Sequence, residues 1–301
     1  MIKAISKMLS GFPGKRIIRP ANVVLLTMTL LLLNGCHSGA IAPRGQIATA
    51  ELKLITFSIE LMLLVVIPVI LMACWFGWRY REGNHAKYTP EWKHSAILEI
   101  VWWTIPCIII LILGIVTWKT THSLDPYKPL DSQTKPVNVE VVSLDWKWLF
   151  IYPEYNIATL NYLKIPVGTP INFKITAASP MNSFIIPQLG GQIYAMTGMK
   201  TQLHLIADVP GSYLGLATNY TGIGFAGMHF ATEVTSPEDF ANWVNTVKES
   251  PERLTSAVFW DELVPKSIDA PIRYFGHVNS GLFDSIIMHY MMPTADPKHK
   301  S

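Results

Sequence analysis

Few side chains in this sequence stand where they can do chemistry, and they form three groups. The first is sulfur. The three cysteines are Cys36, Cys74 and Cys107. Cys36 follows an apolar stretch and the other two lie inside apolar runs, so none can staple the cysteine-free chain beyond Cys107. The second group is carboxylate beside apolar sequence: Glu60 precedes the run 61–78 and Glu99 opens the run 100–118. A charge within a membrane costs ~3 kcal/mol at the centre of a span unless it reaches water, a partner or a proton path. Near an interface the cost falls, and a helix N-terminus favours a negative charge. The third group is imidazole and indole. His204 and His229 lie apart in strand-rich sequence, the pattern of surface or core histidines, whereas Trp146 and Trp148 are two residues apart.

The elements that must carry these groups are legible from composition and pattern. The chain has 301 residues, 50% hydrophobic and only 15% charged, with a net charge of +3. That balance is too apolar for an ordinary soluble domain, and no Lys/Arg run provides a nucleic-acid footprint. Lys3, Lys7, Lys15, Arg16 and Arg19 precede an apolar stretch at 23–33, which is too short to span a bilayer. Residues 1–35 therefore read as a secretory signal. A cysteine after Leu33-Asn-Gly resembles a bacterial lipobox, which would make Cys36 a lipidated mature N-terminus. A plain signal or an uncleaved short anchor is the alternative.

After an outer segment at 36–50, residues 51–122 are expected to form a transmembrane helical hairpin. Arg79, Arg81, Lys87 and Lys93 lie in its connecting loop, about 79–94, which the positive-inside rule places in the cytoplasm. Both chain ends then face outward. Ser95 is the expected N-cap of the second helix and places Glu99 in its first turns. Glu60 lies near the outer end of the first helix, where headgroups or a partner subunit would meet it.

Pro126, Pro129 and Pro136 mark a linker at 123–136. The alternating run 137–142 reads as a strand, with 145–148 continuing it so that Trp146 and Trp148 share a face. Further strand-like runs at 160–165, 170–176, 202–206 and 211–217 are separated by Gly and Pro turns, which argues for a β-sandwich over 137–235. Ser236, Pro237, Glu238 and Asp239 signal a helix start. Phe240, Trp243, Val244 and Val247 give residues 236–249 an apolar stripe. An aromatic-containing arm and tail, 250–301, complete the chain.

Taken together, Glu99-Ile-Val-Trp-Trp-Thr-Ile-Pro106, Asp145-Trp-Lys-Trp148 and Met181-Asn-Ser-Phe-Ile-Ile-Pro187 resemble subunit II of the haem–copper oxidases. Trp118-Lys-Thr-Thr-His122 and Phe150-Ile-Tyr-Pro153 resemble the bacterial cytochrome bo-type ubiquinol oxidase branch. The resemblance implies a membrane hairpin plus an extracytoplasmic, all-β, cupredoxin-like sandwich with a C-terminal helical segment. In the cytochrome c oxidases this sandwich holds two coppers. On this chain the two thiolate positions fall at Gly222 and Ala226, the carbonyl donor at Gly224, and the two histidines at Asn182 and Phe230. The implied subunit binds no cofactor; haems and copper belong to subunit I, where quinol is oxidised and oxygen reduced. Glu99 matches the family's carboxylate at the cytoplasmic mouth of a proton pathway. Trp146 and Trp148 match an aromatic stretch that relays electrons in the copper-bearing relatives, and here they are expected to pack at a subunit interface. Implied partners are subunits I, III and IV, ubiquinol through subunit I, and the bilayer of the bacterial inner membrane. The competing readings are a cytochrome c oxidase subunit with a degenerate site, a copper-delivering or assembly lipoprotein, and a purely structural anchor.

Overall fold

The computed structural model describes residues 39–81 and 94–291. The signal, Cys36, most of the connecting loop and the tail beyond 291 lie outside the described residues.

Two helices long and apolar enough to cross a membrane come first, α1 (Gln46–Arg79) and α2 (Ala96–Ser123). Helix α1 begins inside the stretch 36–50 rather than after it. At 1.5 Å per residue its 34 residues run about 51 Å. A hydrocarbon core of about 30 Å leaves several turns clear of the bilayer. Half-buried Glu51, Leu54, Ser58, Leu61 and Val65 recur at three- and four-residue spacing and mark one face of α1. Its upper part meets the sandwich and its lower part faces α2.

The outer end of α1 is clamped to the sandwich. Arg44 N–H donates to Gln188 O (2.7 Å), Ala48 N–H to Leu189 O (3.1 Å) and Asp208 N–H to Arg44 O (2.8 Å). Gly191 N–H donates to Glu51 Oε1 at 3.1 Å. A Cβ on Gly190 would sit 2.5 Å from Ala48 N, and its φ of 92° already excludes most side chains.

The first ten strands of the sandwich are β1 (Val137–Leu144), β2 (Lys147–Tyr152), β3 (Ile157–Leu160), β4 (Tyr162–Pro166), β5 (Pro170–Ala177), β6 (Asn182–Ile185), β7 (Gln192–Ala195), β8 (Thr201–Ile206), β9 (Gly211–Ala217) and β10 (His229–Thr235). Helix α3 (Pro237–Lys248) follows, then β11 (Arg253–Leu254), β12 (Arg273–Phe275), β13 (His277–Val278) and helix α4 (Leu282–Met291). One sheet runs β12-β3-β2-β1-β5-β8 and the other β4-β10-β9-β6-β7. The inner faces enclose Val139, Val141, Trp148, Phe150, Phe184 and Phe230.

Two strand expectations need correcting. Residues 145–148 do not continue β1: the chain reverses at Asp145-Trp146, and Leu144 pairs with Lys147. The run 160–165 splits at Asn161 (φ 56°) into β3 of one sheet and β4 of the other. Asn161 tolerates the left-handed conformation. It also fixes the corner, accepting Trp148 N–H at 2.8 Å and donating to Ala270 O at 2.8 Å.

Ser236 caps α3 by accepting Asp239 N–H at 3.0 Å, and Phe240, Val244 and Val247 pack on the sandwich core. Beyond α3 the arm is, as far as Met291, a third layer. Leu254, Phe259, Leu263, Phe275, Leu282 and Phe283 cover the outer face of the first sheet against Val142, Leu144, Leu149 and Ile151. This explains why β1 buries the consecutive Val141 and Val142.

Candidate functional site

Two regions hold the groups singled out by sequence, one at the end of the sandwich and one at the inner ends of the helices.

In the outer region, Ile223–Gly227 form a tight helical turn beneath the Trp146 indole. Trp146 Nε1–H donates to Thr221 O at 3.3 Å. A Cβ on Gly224 would fall 2.3 Å from Trp146 Cδ2, so the indole occupies the space a side chain there would need. Gly222 adopts φ 111°, a conformation that also excludes larger residues. Phe230 is buried and stacks on Phe184 with centroids 5.2 Å apart and planes at 11°. Asn182 is buried too, directing Nδ2 at Met228 Sδ (3.0 Å) and accepting Ser183 N–H (2.8 Å). Gly222, Gly224, Ala226, Phe230 and Asn182 thus offer neither thiolate nor imidazole, and aromatic carbon packs against Gly222, Gly224 and Phe230. This donor set does not fit copper. His229 is exposed at the start of β10, whereas His204 is buried on β8 with Nδ1 2.9 Å from Pro126 O. Among the described residues no three His, Cys, Asp or Glu side chains gather as a metal site.

The tryptophan pair does not share a face. Trp146 sits in the turn at φ 63°, strained for a bulky residue. Trp148 is 0% exposed and packs edge-on against Phe184 and Phe230. The expectation that both meet a partner subunit therefore fails for Trp148, which the sandwich buries entirely.

Sequence reasoning missed the strap over this loop. Lys147, 2% exposed, donates to Pro265 O (2.7 Å) and Ser267 Oγ (2.6 Å). Lys266 Nζ lies 5.7 Å from the centroid of the Trp146 ring. A Cβ on Gly227 would fall 2.3 Å from Asp269 Oδ1. Residues 265–270 thus cover Trp146 and the turn below it. Burial lowers the Lys147 pKa, and the Asp145 charge opposes that shift.

At the inner end, Glu99 lies in the first turn of α2, with Oε1 2.5 Å from His94 Nδ1. Both side chains are more than half exposed. They stand at a cleft of about 630 Å³ between the helices, walled by Val65, Pro68, Met72, Trp102 and Pro106. Ser95 occupies the N-cap position without a side-chain cap, while its carbonyl accepts Glu99 N–H at 3.0 Å. A carboxylate and an imidazole in contact, open to solvent beside an apolar cleft, can take up and pass on a proton. His94 had a weak sequence signal, as the ionisable residue next to the expected N-cap.

Comparison with known proteins gives this geometry a family. Residues 156–235 match the family described as cytochrome c oxidase subunit II, periplasmic domain, and residues 248–294 match the COX aromatic-rich motif. The cytochrome bo(3) ubiquinol oxidase subunit 2 of Pseudomonas aeruginosa is 51% identical over 261 residues, 86% of this chain and 78% of that one. That of Pseudomonas putida is 48% identical over 279 residues, 92% and 88% of the two chains. The ubiquinol oxidase subunit 2 of Acetobacter aceti is 51% identical over 263 residues, 86% and 85%. The chain belongs to the ubiquinol oxidase subunit 2 family. It is accordingly one subunit of a multi-subunit oxidase complex. Two membrane-spanning helices and a periplasmic sandwich suit that subunit to the inner membrane. The aromatic-rich motif coincides with the third layer, where Phe259, Phe275 and Phe283 are buried and Trp260 lies 4.3 Å from the His289 ring.

Proposed function

We propose that this chain is the non-redox subunit 2 of a proton-translocating cytochrome bo-type ubiquinol oxidase, in which quinol oxidation and oxygen reduction take place on subunit I. Haems and copper are assigned to that subunit, and this one binds none. One observation carries the reading. The five positions that would ligate copper are Gly222, Gly224, Ala226, Phe230 and Asn182, and three of them are tied into carbon packing around Trp146, Phe184 and Met228. With no electron acceptor on the periplasmic face, reducing equivalents enter through the membrane.

The chain's part in turnover is then on the other side of the bilayer. Glu99 holds a proton at the cytoplasmic mouth of a pathway that continues in subunit I; its open position at the cleft and its contact with His94 support this role. Subunits III and IV complete the assembly, and a lipid on Cys36 tethers the mature N-terminus at the outer surface. The test is purification of the complex through this chain. Ubiquinol-driven oxygen consumption with no copper stoichiometric to this subunit supports the reading; an isolated copper-binding monomer overturns it.

A further inference from the structure

A small cavity, of about 220 Å³, lies where the linker leaves α2 and crosses the sandwich. Its wall carries Asp125, Lys128 and Asp131 from the linker, Gln46 from the start of α1 and His204 from β8. The linker is fixed there. Asp125 Oδ1 accepts Tyr127 N–H at 3.0 Å and Asp125 O accepts Lys128 N–H at 3.0 Å, which closes a turn. His204 pins that turn from the sandwich side, with Nδ1 2.9 Å from Pro126 O. A carbonyl only accepts, so Nδ1 carries the hydrogen and Nε2 of the neutral ring keeps its lone pair. His204 is only 7% exposed, and its Nε2 has no partner among the described residues. The Asp131 carboxylate and the Lys128 ammonium have none there either.

The wall therefore has acceptors in excess: two carboxylates and an imidazole lone pair against one ammonium. Such a set calls for a cation with several hydrogens to donate. Among the described residues no three His, Cys, Asp or Glu side chains stand close enough to hold a metal ion. The cavity also exceeds the ~30 Å³ share of one water, so it suits an organic cation. Lys128 adds a positive charge for an anionic group beside that cation. Height identifies the source. The apolar run 100–118 is about 28 Å long, one hydrocarbon thickness. Ser123, the last residue of α2 and part of the cavity wall, stands about 7–8 Å above Trp118 along the helix. A bilayer of about 40–45 Å overall has its headgroups at that level.

We propose that this cavity binds the headgroup of a phospholipid bearing a primary ammonium, of the phosphatidylethanolamine type. Asp131, the free oxygen of Asp125 and His204 Nε2 accept from the ammonium, and Lys128 meets the phosphate. The two charges of such a headgroup match the opposite charges of the wall. Phosphatidylcholine has no N–H to donate, and phosphatidylglycerol has no cation, so neither satisfies these acceptors. A headgroup held here touches the linker, the start of α1 and β8 together. It ties the joint between hairpin and sandwich to the outer leaflet.

The test uses the complex purified through the full chain, stripped of lipid in detergent and titrated with defined lipids in native mass spectrometry. Phosphatidylethanolamine is expected to be retained several-fold more weakly at one site when Asp131→Asn and Lys128→Gln are combined, both at side chains without a partner. Phosphatidylcholine and phosphatidylglycerol with the same acyl chains are expected to bind wild type and variant alike. Hydrogen exchange across residues 124–131 is expected to slow when phosphatidylethanolamine is added to wild type and to stay unchanged in the variant. Equal retention of phosphatidylethanolamine by wild type and variant would overturn the inference, as would phosphatidylcholine slowing exchange in the linker equally well. Soluble phosphoethanolamine protecting 124–131 as strongly as the lipid would also overturn it, in favour of a free solute.

Discussion

Glu99 and Gly224 show how single positions divide the labour of this chain. Glu99 is more than half exposed and meets His94 at the cleft mouth. Glu99→Gln keeps the shape and removes the carboxylate. It should slow quinol-driven turnover by about tenfold, some 1.4 kcal/mol of barrier, with haem spectra unchanged. Gly224, by contrast, needs an absence of side chain under Trp146. Gly224→Ala should destabilise the outer domain by ~1–3 kcal/mol through overpacking and shift the tryptophan fluorescence, read by thermal unfolding and emission spectra. A third residue sets a pH dependence. Burial raises the Glu140 carboxyl above 4.5, Lys174 opposes this and Asp284 adds to it. The folded state therefore holds this proton more tightly than the unfolded state. Stability falls as pH rises from 4.5 through the raised value. Glu140→Gln should melt higher than wild type at pH 7, with the difference closing below pH 4.5. Glu99 was legible from sequence because a charge opening an apolar run stands out. Lys147 was not, because a lysine between two tryptophans reads as a solvent residue until Pro265 and Ser267 arrive from more than 100 positions away.

Among the elements, the C-terminal arm departs most from expectation. Its aromatic residues were visible in sequence. The surface they cover was not, since β1 alternates at its start and only its consecutive Val141 and Val142 hint at burial on both faces. The two spans and α3 were plain because long apolar runs, and a capped amphipathic stripe, have no competing pattern. The hairpin at Asp145-Trp146 was hidden for a physical reason. Period-two alternation passes through a two-residue turn unbroken, and the left-handed position carries tryptophan where glycine or asparagine would have signalled reversal. β6 and β7, four residues each, are too short to show a period. The arm's structural role can be measured directly. Phe275 is fully buried on β12, which pairs with β3. Phe275→Ala should cost about 3–5 kcal/mol and expose the outer face of the first sheet. Hydrogen exchange in β3 and β12 should rise while β9 and β10, in the other sheet, stay protected.

The described residues form a periplasmic sandwich fixed to a membrane hairpin. The backbone bonds around Arg44, Ala48 and Leu189 and the Glu51 carboxylate leave no loose joint at the outer end of α1. In the proposed reading the sandwich, with Phe184, Phe230 and Trp148 packed in its core, serves such an assembly as a scaffold. Glu99, the carboxylate proposed to handle protons, lies at the far end of the hairpin. The most direct test of this account is oxygen consumption by the complex purified through this chain, driven in parallel by ubiquinol and by reduced cytochrome c. The account predicts rapid turnover with ubiquinol and none with cytochrome c. Turnover driven by cytochrome c would contradict it.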